Sequence, residues 1–277
     1  MIHTTIAIDM GGTNIRAARI ADGQIEAMQA VSCNAQGTEQ EVLDQIFQIV
    51  DAVFSPEVQC IGFGVPSVVD SSQGIVYDLQ NIPSWKEVHL TDIFQARYGV
   101  KVVVNNDVNC FVLGEQCFGE ARAFGNVVGI TLGTGVGAGI VIGGHLYGGT
   151  NTGAGEIGCL PYLDSDYEHY CSSHFFKAHG TDGAVEAQRA AQGNAEAIAM
   201  WREFGYHMGK LLQVILFAYD PEAIVIGGGI AASQALFEEA MIESMKQNFP
   251  YKVECDNVKV LFSKVKNCNL LGASQLG

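Results

Sequence analysis

Proline is scarce in this chain, with six residues in 277, whereas glycine is abundant at 33. That balance argues against an extended proline-rich linker and for many tight turns at strand ends. Basic residues are also few: 15 Lys and Arg face 30 Asp and Glu, for a net charge of −15. Nonspecific nucleic-acid binding requires clustered Lys and Arg to displace counterions, so no nucleic-acid partner is expected. An acidic surface still admits a phosphorylated ligand when backbone N–H groups hold it. No run approaches the roughly 18–20 apolar residues of a membrane span, so no membrane partner is expected either. The opening MIHTTIAIDMGGTN lacks the basic segment that begins a secretory leader. The eight cysteines form no compact disulfide framework, and Cys60, Cys110 and Cys117 lie in apolar runs. The expectation is a cytoplasmic protein in a reducing compartment with mostly buried thiols.

What is present is a large apolar fraction, 48% against 16% charged, enough for one large or two medium domains. Two segments echo each other, TIAIDMGGTNIRAARIADGQI (5–25) and VVGITLGTGVGAGIVIGGHLYGG (127–149). Each reads as a β-branched strand, a glycine turn with threonine, a second apolar strand and another turn. One such pattern per half-chain suggests two lobes facing each other across a ligand-holding cleft. Residues 41–54, 108–119 and 195–219 carry helical spacing, and 60–70, 101–107 and 221–229 read as strands. Strands alternating with helices predict an α/β protein.

In LGTGVGAG (132–139), Gly133, Gly135 and Ala138 have the spacing G-x-G-x-x-[GA], and Glu156 follows at the place of a ribose-binding acid. That dinucleotide fingerprint must open a helix, but this loop opens the strand-like AGIVIGGHLY. A hairpin whose backbone N–H groups approach phosphate oxygens suits it better, with the Thr134 hydroxyl as a further donor. Gly11, Gly12, Thr13 and Asn14 suit the same chemistry. Either loop alone reads more readily as an ordinary hairpin turn; two of them, one per half, favour phosphate. A third run, AIVIGGGIAAS (223–233), ends a strand and begins a helix that either faces a nucleotide or simply turns the chain. The P-loop and protein-kinase motifs are absent.

Asn105-Asn106-Asp107 sits where an apolar strand meets a helix. One reading is N-capping. The other is a carboxylate at a strand end that accepts a hydroxyl proton during phosphoryl transfer. In the second reading, Asn106, Asn81 and Glu156 would hold a polyhydroxylated substrate.

DMGGTNIRAA (9–18), GVPSVVD (64–70), NIPSW (81–85), NNDVN (105–109), LGTGVGAGIV (132–141), GAGEIG (153–158) and DPEAIVIGGG (220–229) occur in the order found in ROK-family sugar kinases. LLGAS (270–274) is similar to that family's closing helix, so the resemblance spans nearly the entire chain. It implies an actin-like, ribonuclease-H-like fold with two lobes around a cleft. The N-terminal lobe would be 1–115, completed by 265–277, and the C-terminal lobe 116–264. It also implies an ATP-dependent hexose kinase using ATP and Mg2+. Asp107 resembles the general base for the sugar O6 hydroxyl, and Asn106 and Glu156 resemble sugar ligands. Asn81 and Ser67 are further candidates, Ser67 replacing the glycine usual in GVPG. Gly11, Gly12, Thr13 and Asn14 resemble the first phosphate loop, and Gly133, Thr134 and Gly135 the second. Asp9 resembles the carboxylate that orients magnesium through water; Gly228 and Gly229 would lie beside adenosine. Glucose is the expected hexose. Alternatives are another hexose or amino sugar (fructose, mannose, allose or an N-acetylated sugar) or a catalytically idle sugar-binding regulator. A homodimer follows only by analogy.

The resemblance breaks in GAGEIGCLPYLDSDYEHYCSSHFFKAHG (153–180). Zinc-containing members carry a histidine after GEIG and then a C-x-C-G-x-x-G-C-x-E cluster. Here Cys159 takes the histidine position, DYEHYCSSHFF (166–176) has one cysteine, and the cluster's glutamate falls on or near Ser173. Cys159, His169, Cys171 and His174 would supply four ligands of the right type for tetrahedral zinc. Their spacing is not that of paired ligands on turns, and the expectation is no zinc. Cys159, smaller and a weaker hydrogen-bond partner than histidine, points to an altered sugar preference.

Overall fold

A computed structural model describes residues 4–11, 13–66, 69–150 and 153–277. The chain divides into two compact units: Met1–Arg122 with Leu146–Ala154 and Val265–Gly277, and Ala123–His145 with Gly155–Lys264.

The first unit is organised by β1 (Thr4–Met10), whose seven residues are all buried. A strand covered on both faces needs a nearly continuous apolar run, which TTIAIDM supplies up to Asp9. β2 (Asn14–Ala21) returns antiparallel beside it, and β3 (Gln24–Ser32) pairs antiparallel with β2. α1 (Glu39–Asp51) starts earlier than its apolar spacing indicates because Thr38 and Glu41 cap it reciprocally; the Glu41 carboxylate accepts the Thr38 N–H at 2.8 Å. β4 (Val58–Val65) then runs parallel to β1 and stops at Val65, before Pro66, which has no N–H to continue a ladder. β5 (Val69–Asp70), β6 (Ile75–Tyr77) and β7 (Glu87–His89) form a small antiparallel sheet. α2 (Leu90–Tyr98), β8 (Lys101–Asn106) and α3 (Asp107–Phe118) follow. The main sheet has the order β3-β2-β1-β4-β8. Ile6, Ile8 and Phe63 from its strands cluster with Val42 and Ile46 of α1 and Phe94 of α2.

The second unit repeats that plan. β9 (Val127–Leu132) and β10 (Val136–Ile142) form a hairpin, and β11 (His145–Leu146) extends it. A 3₁₀ turn at Ile157–Cys159 leads to the short hairpin β12 (Pro161–Tyr162) and β13 (Ser165–Asp166). α4 (Tyr167–Cys171), α5 (Ser173–Ala178) and α6 (Gly183–Ala191) precede α7 (Ala195–Tyr219), which begins where the Asn194 side chain accepts the Ala197 N–H at 2.9 Å. β14 (Ala223–Gly227), α8 (Gln234–Lys246), α9 (Lys252–Asn257) and β15 (Lys259–Phe262) complete the unit. Its sheet order is β11-β10-β9-β14-β15, again an antiparallel hairpin joined to a parallel strand. The sequence echo is thus a repeat of sheet topology. α10 (Cys268–Ala273) returns to the first unit, where Leu270, Leu271 and Ala273 cluster with Ala7, Ala18 and Cys110. Among the described residues, no helix is long and apolar enough to cross a membrane.

The two long helices of the second unit approach each other at Gly205 and Gly209 of α7, where added Cβ atoms would overlap the carbonyl oxygens of Phe237 and Met241. The Ser244 hydroxyl also donates to the Tyr206 carbonyl at 2.8 Å. At Gly209 a methyl would meet Ser244 Cβ at 2.6 Å and Met245 N at 2.7 Å, so α8 must retreat. Gly209→Ala is expected to destabilise the protein by about 1–3 kcal/mol through overpacking, although it raises helix propensity. Urea denaturation checks the sign; a stabilised variant would mean that α8 moves away at no cost.

Candidate active site

In the first unit, β1, β4 and β8 are parallel, and their pairing puts Asp9 opposite Gly64 and Gly64 opposite Asn105. The carboxyl ends of these strands therefore carry one row of groups, the place where open α/β sheets bind ligands. Asn106 ends β8 and caps α3, its Oδ1 accepting the Val108 N–H at 2.8 Å. Asn105 Oδ1 accepts from the Asn106 N–H and from Asn109 Nδ2, each at 2.8 Å, which fixes the strand-to-helix corner. Asp107 is thereby the first residue of α3, partly exposed, where the helix dipole favours a carboxylate. Its Cα lies 3.5 Å from the position a Cβ on Gly64 would take. Of the two readings posed by the sequence, capping falls to Asn106, and the carboxylate of the other reading, Asp107, is the next residue. Burial pushes the Cys110 thiol well above its usual range, and the charges of Asp107 and Asp9 push it further, so both carboxylates act on one buried group.

Asp9 is 5% exposed and ion-paired with Arg16, which donates to Oδ2 through both Nε, at 3.1 Å, and Nη2. Arg16 Nη1 also donates to Asn267 Oδ1 at 3.0 Å, tying the pair to the residue that precedes α10. Among the described residues, Asp9 Oδ1 accepts no hydrogen bond. Beside it, the Gly11 N–H donates to the Asn14 carbonyl at 2.9 Å, and Thr13 and Asn14 are exposed, so β1 and β2 are joined by a tight polar turn. Gly12 and Ser67 lie outside the described residues. Asn81 is exposed in the turn between β6 and β7, and Trp85 of the same turn is fully buried.

In the second unit, Gly133, Thr134 and Gly135 join β9 to β10, with the Gly133 N–H donating to the Gly135 carbonyl at 3.0 Å. β14 runs parallel beside β9, so Gly228 and Gly229 follow its carboxyl end next to that loop. Gly228 has φ +90°, and a Cβ there would overlap the Leu132 backbone; only glycine fits. The predicted helix after this run starts with a 3₁₀ turn, Ile230–Ser233, ahead of α8. Glu156 is exposed at the start of the turn Ile157–Cys159, and the Cys159 thiol lies 3.9 Å from its Oε2.

The four candidate zinc ligands are not gathered. Cys171 is fully buried in α4, Cys159 is exposed, and the backbone N–H groups of His169 and His174 bond to the capping side chains of Asp166 and Ser172. Among the described residues, no three His, Cys, Asp or Glu side chains form a group that fits a metal ion. An aromatic cluster holds the segment instead. Tyr162 stacks on Tyr167 at 4.3 Å between ring centroids and bonds through its hydroxyl to His207 Nδ1 at 3.0 Å.

The sequence model of the ROK family matches residues 5–276. The chain belongs to the ROK family. It is similar to the glucokinase of Thermotoga maritima, 28% identical, with 98% of this chain and 96% of that protein covered. It is also similar to an N-acetyl-D-glucosamine kinase of Yersinia pseudotuberculosis, 28% identical over 83% of this chain and 85% of that one. The crystal structure of a ROK family glucokinase from Streptomyces griseus, in complex with glucose and AMPPNP, superposes with a TM-score of 0.83 at 27% identity, covering 99% of both chains. The fold is the actin-like, ribonuclease-H-like one that the motifs implied.

On this ROK scaffold, sequence reasoning missed Arg16, Asn267 and Glu168. Arg16 was within reach: a hairpin turning at 12–13 pairs position 9 with 16, and opposite charges facing each other across strands are a recognisable signal. Asn267 had no local signal, because its partner is remote in sequence.

Arg16→Ala would leave the Asp9 carboxylate buried without its counter-charge. With Arg16 itself still a third exposed, the expected loss is about 2 kcal/mol of stability by chemical denaturation, largely recovered by also changing Asp9 to Asn. A second prediction concerns His207, 6% exposed, whose Nε2 has no hydrogen-bond partner among the described residues and lies 3.8 Å from Glu203. Burial lowers its pKa below 6.5, the Glu203 charge opposing that shift only in part. The unfolded chain therefore binds the proton more readily than the folded one, and stability falls as pH drops below about 6.5, levelling off below the folded-state value. His207→Gln is expected to flatten that part of the stability–pH curve, measured by thermal unfolding between pH 7 and 5; an unchanged slope would assign it to other groups.

Proposed function

We propose that this protein is a sugar kinase that transfers the γ-phosphoryl group of ATP to a hexose hydroxyl, with glucose phosphorylated at O6 as the leading case. The observation that carries this reading is the placement of Asp107 at the first turn of α3, beside the row of strand ends that also holds Asp9. Membership of the ROK family and the similarity to proteins named glucokinase and N-acetyl-D-glucosamine kinase support it.

In this mechanism the Asp107 carboxylate accepts the proton of the attacking hydroxyl. The sugar oxygen bonds to the γ-phosphorus as the bridging bond to the β-phosphate breaks, giving ADP and a sugar phosphate. Asn106 and Glu156 hold neighbouring sugar hydroxyls, with Asn81 and Ser67 as further contacts. The glycine loops at 11–14 and 133–135 offer backbone N–H groups to the phosphates, and Gly228 and Gly229 leave room for adenosine. Asp9 suits magnesium: a hard oxygen donor whose Oδ1 is unengaged among the described residues and whose other oxygen Arg16 holds in place. The ion, when bound, neutralises charge developing on the phosphates. Cys159 beside Glu156 makes the acceptor the open variable, and an amino sugar is the second acceptor class that the similarities support.

The test is turnover with ATP and Mg2+ across a panel of hexoses and N-acetylated hexosamines. Asp107→Asn is expected to lower kcat by about 10²–10⁴-fold while sugar affinity survives. Undiminished turnover in that variant would remove the role assigned to Asp107, and no turnover of any sugar by the parent would overturn the kinase reading.

A further inference from the structure

The loop Gly133–Gly135 is held from outside by the segment in which the sequence departs from its family. The Ser173 N–H donates to the Gly133 carbonyl at 2.9 Å, and the Ser173 hydroxyl donates to the Thr134 carbonyl at 3.3 Å. The Val136 N–H donates to Glu168 Oε2 at 3.1 Å. The same carboxylate lies so close to Gly135 that a Cβ there would overlap it. Thus α4, through Glu168, and α5, through Ser173, bond to Gly133, Thr134 and Val136 in turn, and Glu168 closes over Gly135 between them. Among the described residues, the N–H groups of Thr134 and Gly135 make no hydrogen bond, and Thr134 is exposed.

We propose that Glu168 and Ser173 are positioning residues for this loop, fixing its peptide planes so that the Thr134 and Gly135 N–H groups meet the phosphates of the nucleotide. The proposal rests on the kinase reading above. A loop with two glycines in three positions has an unusually large conformational entropy to lose when it grips an anion. Bonds that hold its carbonyls and the following N–H before the ligand arrives remove part of that cost from binding. A carboxylate suits this task because hydrogen bonds to a charged acceptor are stronger than neutral ones. It acts through the loop; nothing in the geometry brings it to the reacting atoms.

The test uses the full chain with Glu168→Ala, Glu168→Gln and Ser173→Ala, each assayed with ATP and sugar varied separately and titrated calorimetrically with ADP and Mg2+. Glu168→Ala is expected to raise KM for ATP and Kd for ADP about tenfold with KM for the sugar unchanged within about twofold. Glu168→Gln, which keeps an acceptor oxygen and guards against misfolding of the alanine variant, should fall between; Ser173→Ala should shift nucleotide affinity about threefold. A purely structural role would instead lower the melting temperature or the active fraction and leave the nucleotide constants alone; that result, or equal increases in both KM values, overturns the proposal. Amide exchange at Val136 gives a readout independent of turnover: Glu168→Ala should accelerate it, and unchanged protection overturns the proposal even if the parent acts on no sugar. Failure of the parent to bind nucleotide or phosphorylate any sugar would count against the kinase reading, and the exchange result would then decide whether Glu168 fixes the loop.

Discussion

The register of three parallel strands is the constraint on which the first unit's site depends. β1 pairs with β4 so that Asp9 faces Gly64, and β4 pairs with β8 so that Gly64 faces Asn105. A slip of one residue in β1 would turn every side chain to the opposite face and carry Asp9 away from Arg16. Burial of all seven β1 residues penalises such a slip on both faces at once. Gly64 has its own part: the side chain it lacks leaves the space into which Cys110 and the start of α3 fit, with Cys110 Sγ 3.1 Å from where a Cβ would stand. Asp107 reaches its position because the sheet is in register and because the middle strand carries no side chain there.

The second unit applies the same rule with different means. β9 and β14 are parallel, and both continue past their carboxyl ends into glycines. In the first unit charge fixes the end of the sheet, with Asp9 held by Arg16 and Arg16 by Asn267. In the second, backbone hydrogen bonds and close approach do so, with Gly228 against Leu132 and Glu168 against Gly135.

Much of this was legible in the sequence for identifiable reasons. Both hairpins announce themselves by β-branched runs flanking glycine turns, and α7 by its long apolar period. The register of the first hairpin also fixed the Asp9–Arg16 pair in principle, although only Asp9 was singled out. What local pattern does not carry are partners brought together by the fold. Arg16 and Asn267 are 251 residues apart in sequence, and Glu168 and Val136 are 32 apart. The reach of α1 was misjudged by its apolar residues because the cap, Thr38 with Glu41, is polar and precedes them.

Segment 153–180 shows how composition misleads when burial is unknown. Two cysteines and several histidines read as soft ligands, but the ligand form of cysteine is the thiolate. Burial pushes the Cys171 thiol well above its usual range, so it behaves as a small apolar group in the core beside Phe175 and Phe176. Cys159 is exposed, but desolvation and the neighbouring Glu156, Glu168 and Asp166 charges also push its thiol up. What orders the segment is aromatic area: Tyr162, Tyr167, Tyr170 and His207 contact one another edge-on and face-on, and rigid rings with few torsions lose little entropy when packed. Tyr167 and Cys171 belong to the same short helix as Glu168, so packing that buries one face of α4 presents the other to the glycine loop. Tyr167, which helps hold the chain here, and Glu168, which touches the loop, are consecutive, and the same burial accounts for both.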